Sequence, residues 1–141
     1  MPDDRATIMI HALADARAAL TAAQALGVPV RLVSPPAAPA YLGIDYFQNV
    51  ADAAREGFPD VDAQFVLDCD DMTGFALAAL RQGVDRIHIR VENDVRLRIE
   101  EVATQVGGCL EDIIAPALDL ETIDDPVAAC QEWLLKSRSE P

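Results

Sequence analysis

Short strand-like runs alternate with helix-length segments along the whole chain, and this alternation constrains the fold more than any single motif does. It is the pattern of consecutive βαβ units, which build a parallel sheet with helical crossovers. Strands are predicted over Thr7–Ala12, Val28–Ser34, Ala63–Cys69 and Arg86–Val91, with a short fifth over Cys109–Ile113. Helices are predicted over Leu13–Leu26, stopped by Gly27, and over Asp45–Glu56, where Phe47, Val50, Ala51 and Ala54 recur at helical spacing. A third is opened by Asp71 or Thr73 and closed at Gly83. A fourth is capped by Asp94 and runs to Val106, and a last one follows Asp125-Pro126. Pro35–Leu42 reads as a loop, because Pro35, Pro36 and Pro39 lack an N–H and disfavour helix in the residue before them.

Side chains on a strand alternate between two faces. One predicted face collects Ile8, Ile10, Val30, Leu32, Phe65, Leu67, Ile87 and Ile89. The other collects Met9, His11, Arg31, Val33, Gln64, Val66, Asp68, Arg86, His88 and Arg90. A doubly wound sheet is covered by helices on both faces, and its strands read apolar throughout. One apolar and one mixed face therefore predict a singly wound α/β sheet of about five strands, half of a TIM-like barrel; a flavodoxin-like three-layer sandwich is the alternative. A complete eight-stranded barrel takes about 250 residues, so the 141 residues here suit a half-barrel in one domain, 1–141, with flexible ends at 1–5 and 137–141. Open sheet edges need cover, which predicts a homodimer.

Composition removes several function classes. The chain has 11 basic and 24 acidic residues, a formal net charge of −13, which argues against a nucleic-acid partner. Ten of the eleven basic residues are Arg, and the single Lys136 sits in the C-terminal tail. A Schiff-base enzyme needs a lysine whose pKa is lowered by burial, so that chemistry is excluded. Cys69, Cys109 and Cys130 are odd in number and widely spaced, as free thiols are. No apolar stretch is long enough for a membrane span, and the start lacks the basic and apolar regions of a signal peptide. The expected location is the cytoplasm, with no membrane partner.

Between Val28 and Val91 the order of features resembles the class II, metal-dependent fructose-bisphosphate aldolases and their tagatose relatives. The matching stretches are Val30-Arg31-Leu32-Val33-Ser34-Pro35, Tyr41-Leu42-Gly43, Val66-Leu67-Asp68-Cys69-Asp70 and Ala79-Leu80-Arg81-Gln82-Gly83-Val84. They cover under half of the chain, and order and spacing supply most of the weight. In that family a Leu-Asp-His-Gly strand end supplies a proton-donating Asp and a His that binds catalytic zinc, whose Lewis acidity stabilises an enediolate. Here Asp68 stands at the Asp position, Cys69 at the His position and Asp70 at the Gly position. Arg90 follows the fourth strand where the family usually has an acid.

The resemblance implies an aldolase-like protein with an incomplete metal site. The expected function is binding of a small anionic metabolite at the C-terminal ends of the strands, through Ser34, His11, His88 and Arg90, with Asp68 as the candidate catalytic carboxylate. Arg presents a planar fork of donors suited to carboxylate or phosphate. Asp70 and Asp71 crowd the same strand end and read as a helix cap and a solvated turn. No cofactor is expected on this reading, and enzymatic activity is not its favoured form. One alternative is a zinc-dependent carbon-carbon lyase completed across a dimer, with Cys69 and His11 as metal ligands beside Asp68 or His88. The other is a structural or regulatory protein-interaction module.

Overall fold

The computed structural model of the chain describes residues 5–113 and 116–139. Six parallel strands alternate with six helices: β1 Ala6–Met9, α1 Leu13–Leu26, β2 Val30–Val33, α2 Ala38–Tyr41, α3 Ile44–Gly57, β3 Ala63–Asp70, α4 Thr73–Arg81, β4 Arg86–Ile89, α5 Asn93–Val106, β5 Cys109–Leu110, β6 Ala117–Asp119 and α6 Pro126–Ser139. The sheet order is β5-β4-β3-β2-β1-β6. The expected α/β class with a parallel sheet is therefore found. Each of the first five strands lies beside its predecessor. A parallel sheet alternating with helices is consistent with both expected architectures, the half-barrel and the flavodoxin-like sandwich.

The chain divides into two compact units. The first holds the residues up to Val33, Asn49–Phe65 and 116–139. Its strands run in register, with Ile8 beside Leu32 and Thr7 beside Arg31. Helix α1 buries Ala16, Ala18, Ala19, Leu20, Ala22 and Ala23. Five of these six are alanine, so α1 can approach both β2 and α6 closely. Ile8, Val30, Leu32, Phe65, Cys130 and Leu134 complete this core. Each large aliphatic side chain buried there contributes about 1.5–3 kcal/mol. Gly27 ends α1 with φ 66°, a left-handed conformation that costs glycine little. Among the polar groups, Trp133 Nε1 donates to the Thr7 carbonyl at 3.1 Å, and the buried Arg31 donates to Gln64 at 3.3 Å.

The second unit comprises Ser34–Gln48 and 66–113. Leu67 and Ile87 face each other across β3 and β4, and α4 supplies Ala76, Ala79 and Leu80 to the same core. Helix α5 adds Ile99 and Ala103, one helical turn apart. The predicted apolar face is thus buried at every position in both units.

Several local expectations differ from the structure. The proline-rich segment is not all loop, because α2 forms a single turn with proline in its first turn, where the missing N–H is lost to no helical partner. Neither Asp71 nor Thr73 caps α4; its N-cap is Met72, and the Thr73 N–H instead meets the Asp71 carbonyl. Asp94 lies inside the first turn of α5, whose N-cap is Glu92. Asp125 does act as a cap, accepting the Ala128 N–H at 3.2 Å. A sixth strand, β6, stands where none was expected. Residues 137–139 continue α6, and the rest of the two ends expected to be flexible lies outside the described residues, apart from Arg5. Among the described residues no helix is long and apolar enough to cross a membrane.

Candidate functional site

In the second unit the carboxyl ends of β3 and β4 converge, and a β-bulge shapes them. Asp68 pairs with His88, but Asp70 pairs with Ile89, so two residues of β3 are spent against one of β4. Asp70 adopts φ 51°, a left-handed conformation that Asp tolerates better than most residues. Its backbone N–H turns onto Asp68 Oδ1 at 2.9 Å. Arg90 then reaches both aspartates. Nη1 donates to Asp68 Oδ1 at 3.1 Å and to Asp70 Oδ1 at 3.0 Å, and Nη2 donates to Asp68 Oδ2 at 3.2 Å. The Asp68 side chain is 4% exposed while that of Arg90 is 49% exposed. Burial alone would lower the Arg90 pKa, but Asp68 and then Asp70 outweigh it and raise it.

Ser34, just beyond β2, supports this arrangement from beneath. Its buried Oγ accepts the Asp68 N–H at 2.9 Å and donates to the Pro35 carbonyl at 3.1 Å. Ser34 thus fixes the backbone of Asp68, with its one O–H already donated. Beside Arg90 lies a shallow depression of about 560 Å³, lined by Asp71, Thr73, Arg90, Val91, Glu92 and Val95. Helices α4 and α5 both begin there, and neither first turn is capped by a side chain. Helix N-termini carry partial positive charge and orphan N–H groups.

The other expected site residues bond to different partners. His88 is buried, and its Nδ1 donates to the Glu111 carbonyl at 2.8 Å, which ties the ring to the end of β5. Cys69 is fully buried on the apolar side, and burial, with Asp68 adding to it, pushes its thiol pKa up to about 12. A protonated thiol facing the core is not placed to bind a metal beside Asp68. Cys130 is likewise buried, and burial followed by Asp15 raises its pKa to about 12. Cys109 is partly exposed, and Arg86 and Glu111, which form an ion pair with each other, lie beside it. Burial is the largest influence on its pKa, which is raised.

His11 belongs to the first unit, at the end of β1. Its backbone N–H donates to Asp15 Oδ2 at 2.8 Å, and its ring Nε2 lies 2.6 Å from Asp119 Oδ1 at the end of β6. The same Asp119 oxygen accepts the Glu121 N–H at 2.9 Å. Burial raises the Asp119 pKa, but that backbone bond and His11 outweigh it, so the carboxyl is held below its usual value. His11, Asp119 and Glu121 offer ligand atoms within 4.8 Å of one another. Sequence reasoning missed Asp119 and Glu121. The available signal was Ala117-Leu118-Asp119, an aliphatic run ending in Asp like Val66-Leu67-Asp68. Comparison with protein-family models gives no match, and neither does comparison with curated proteins.

Proposed function

We propose that the protein binds a small anionic metabolite at the carboxyl ends of β3 and β4 and has lost aldol chemistry. The observation that carries this reading is Arg90: its guanidinium is held in a fixed fork by Asp68 and Asp70, yet half of the side chain faces the depression where α4 and α5 begin. Of the five guanidinium N–H groups, three point to the aspartates. The two others can meet a carboxylate or phosphate, with the first-turn N–H groups of the two helices as further donors. Asp71 and Glu92 line the same depression, which favours ligands that carry hydroxyl or ammonium groups beside the anion. The lyase alternative has less support, since the Cys69 thiol faces the core on the side away from Asp68.

Two further parts of the reading concern context. The three free cysteines fit the reducing cytoplasm. The open edges of β5 and β6 support pairing of two copies, a homodimer of twice the 15.2 kDa chain. Light scattering after size exclusion reads that mass directly.

The binding reading is tested by NMR titration with inorganic phosphate and with malonate. The expected result is saturable shifts in the amides of Thr73–Phe75 and Asn93–Val95 and in Arg90 Nε, lost in a folded Arg90→Gln variant. Shifts that persist in Arg90→Gln, or no saturable shift in the native chain, would sink it.

A further inference from the structure

We propose that His11, Asp119 and Glu121 form a binding site for one divalent transition-metal ion such as zinc. The site lies in the first unit, at the carboxyl ends of β1 and β6, and shares no residue with the Arg90 group. Three observations support it together. The donors are one imidazole nitrogen and two carboxylates, all mutually within 4.8 Å. Two ligands of a tetrahedral ion, each at about 2.1 Å, are about 3.4 Å apart, so small side-chain rotations are needed to close the set. The backbone already holds two of the three ligands in place. Asp15 anchors the main chain of His11, and the Glu121 N–H anchors Asp119. The chain then turns sharply at Thr122, which has φ 65°, an unusual value for a β-branched residue.

The donor types select the ion. An imidazole ligand favours zinc, copper, iron and nickel over magnesium and calcium, which prefer oxygen donors. Three protein ligands leave coordination positions open to water or substrate, as in catalytic rather than structural sites. His11 is partly exposed and the two acids are exposed, so an ion in solution has access. The competing account is an ordinary His11–Asp119 ion pair with Glu121 merely adjacent. That account gives the Glu121 side chain no part in the pair, which makes Glu121 the discriminating position.

The test uses the full, tag-free chain, dialysed against zinc or cobalt and read by elemental analysis and by the visible absorption of bound Co²⁺. The expected result is one ion per chain, unmoved by excess Mg²⁺. Affinity falls tenfold or more in both His11→Ala and Glu121→Gln; altering a mere supporting partner of a ligand already costs roughly 10–100-fold. An Asp60→Asn control, also at an exposed acid, leaves it unchanged. Glu121→Gln is a surface change, and far-UV circular dichroism verifies its fold. Native affinity in Glu121→Gln, displacement of zinc by equimolar Mg²⁺, or an equal loss in Asp60→Asn would each overturn the proposal.

Discussion

Arg90→Ala tests whether the Asp68–Arg90 fork stabilises the second unit, and the structure sets the size of the effect. Exposed ion pairs contribute about 0.2–1 kcal/mol, whereas removing one partner of a fully buried pair costs about 3–5 kcal/mol. Here one partner is buried and the other half-exposed, at 4% and 49%, so water reaches the guanidinium but hardly the carboxylate. Arg90→Ala leaves Asp68 charged, buried and held by the Asp70 N–H, for an expected loss of about 2 kcal/mol. For a chain of this size that lowers Tm by about 8 °C. Asp68→Ala strands no buried charge, since Arg90 keeps Asp70 and solvent, so its loss is smaller, about 1 kcal/mol. In the double variant the stranded carboxylate is gone, so its loss approaches that of Asp68→Ala alone, giving a coupling energy of about 1–2 kcal/mol. Urea unfolding of the four proteins at constant m-value measures it. Additive losses, or an Arg90→Ala variant as stable as the native chain, would refute the account.

Thiol reactivity separates the three cysteines. With a pKa near 12 the thiolate fraction at pH 8 is about 10⁻⁴ for Cys69 and Cys130, so in the native state a thiol reagent should label Cys109 first, the other two reacting only with unfolding; early labelling of Cys69, read by peptide mass mapping, would contradict its place in the core. Asp119 should titrate below the ordinary aspartate value of 3.8 and move up in His11→Ala, as read by carboxyl ¹³C NMR. Because its folded pKa lies below its unfolded one, its contribution to stability is full above the unfolded value and fades as pH falls through the folded value. An Asp119 titration at or above 3.8 would contradict this. Ser34→Ala should lower stability by about 1–3 kcal/mol in thermal unfolding, because it strips the buried Asp68 N–H of its acceptor; an unchanged Tm would show that another acceptor replaces Ser34.

What was legible in the sequence follows from how local each signal is. Helix α1 matches its predicted span because alanine-rich propensity and the stop at Gly27 act within one segment. The apolar face was legible because Ile8, Val30, Leu32, Phe65, Leu67, Ile87 and Ile89 recur at alternate positions, although the structure buries Arg31, Val33, Val66, Asp68 and His88 of the mixed face too. Strand β6 was not, since three residues show no period and only pairing with β1 makes them a strand. With β6 hidden, Asp119 and Glu121 had no strand end to stand on, and His11 was matched to Asp68 and Cys69 instead. The ion pairing of Arg90 was hidden for a different reason. Nothing in Val66–Asp70 announces a bulge, and without it residues 68 and 70 pair in simple succession along β4.

The bulge also explains how Asp70 comes to bond Arg90. Position 70, where the resembled strand end carries Gly, is left-handed here, with φ 51°. A left-handed residue that is not Gly costs about 1–2 kcal/mol, less for Asp, whose short polar side chain can bond locally. The carboxylate placed there bonds Arg90 at 3.0 Å, and Arg90 itself stands where the resembled family has an acid. The bulge and the ion pair are therefore linked: the turn at Asp70 brings a second carboxylate to Arg90, which Asp68 already holds. Cys69, between Asp68 and Asp70, is fully buried in the core. The strand end thus presents to solvent a guanidinium held by two aspartates, with about half of its side chain exposed.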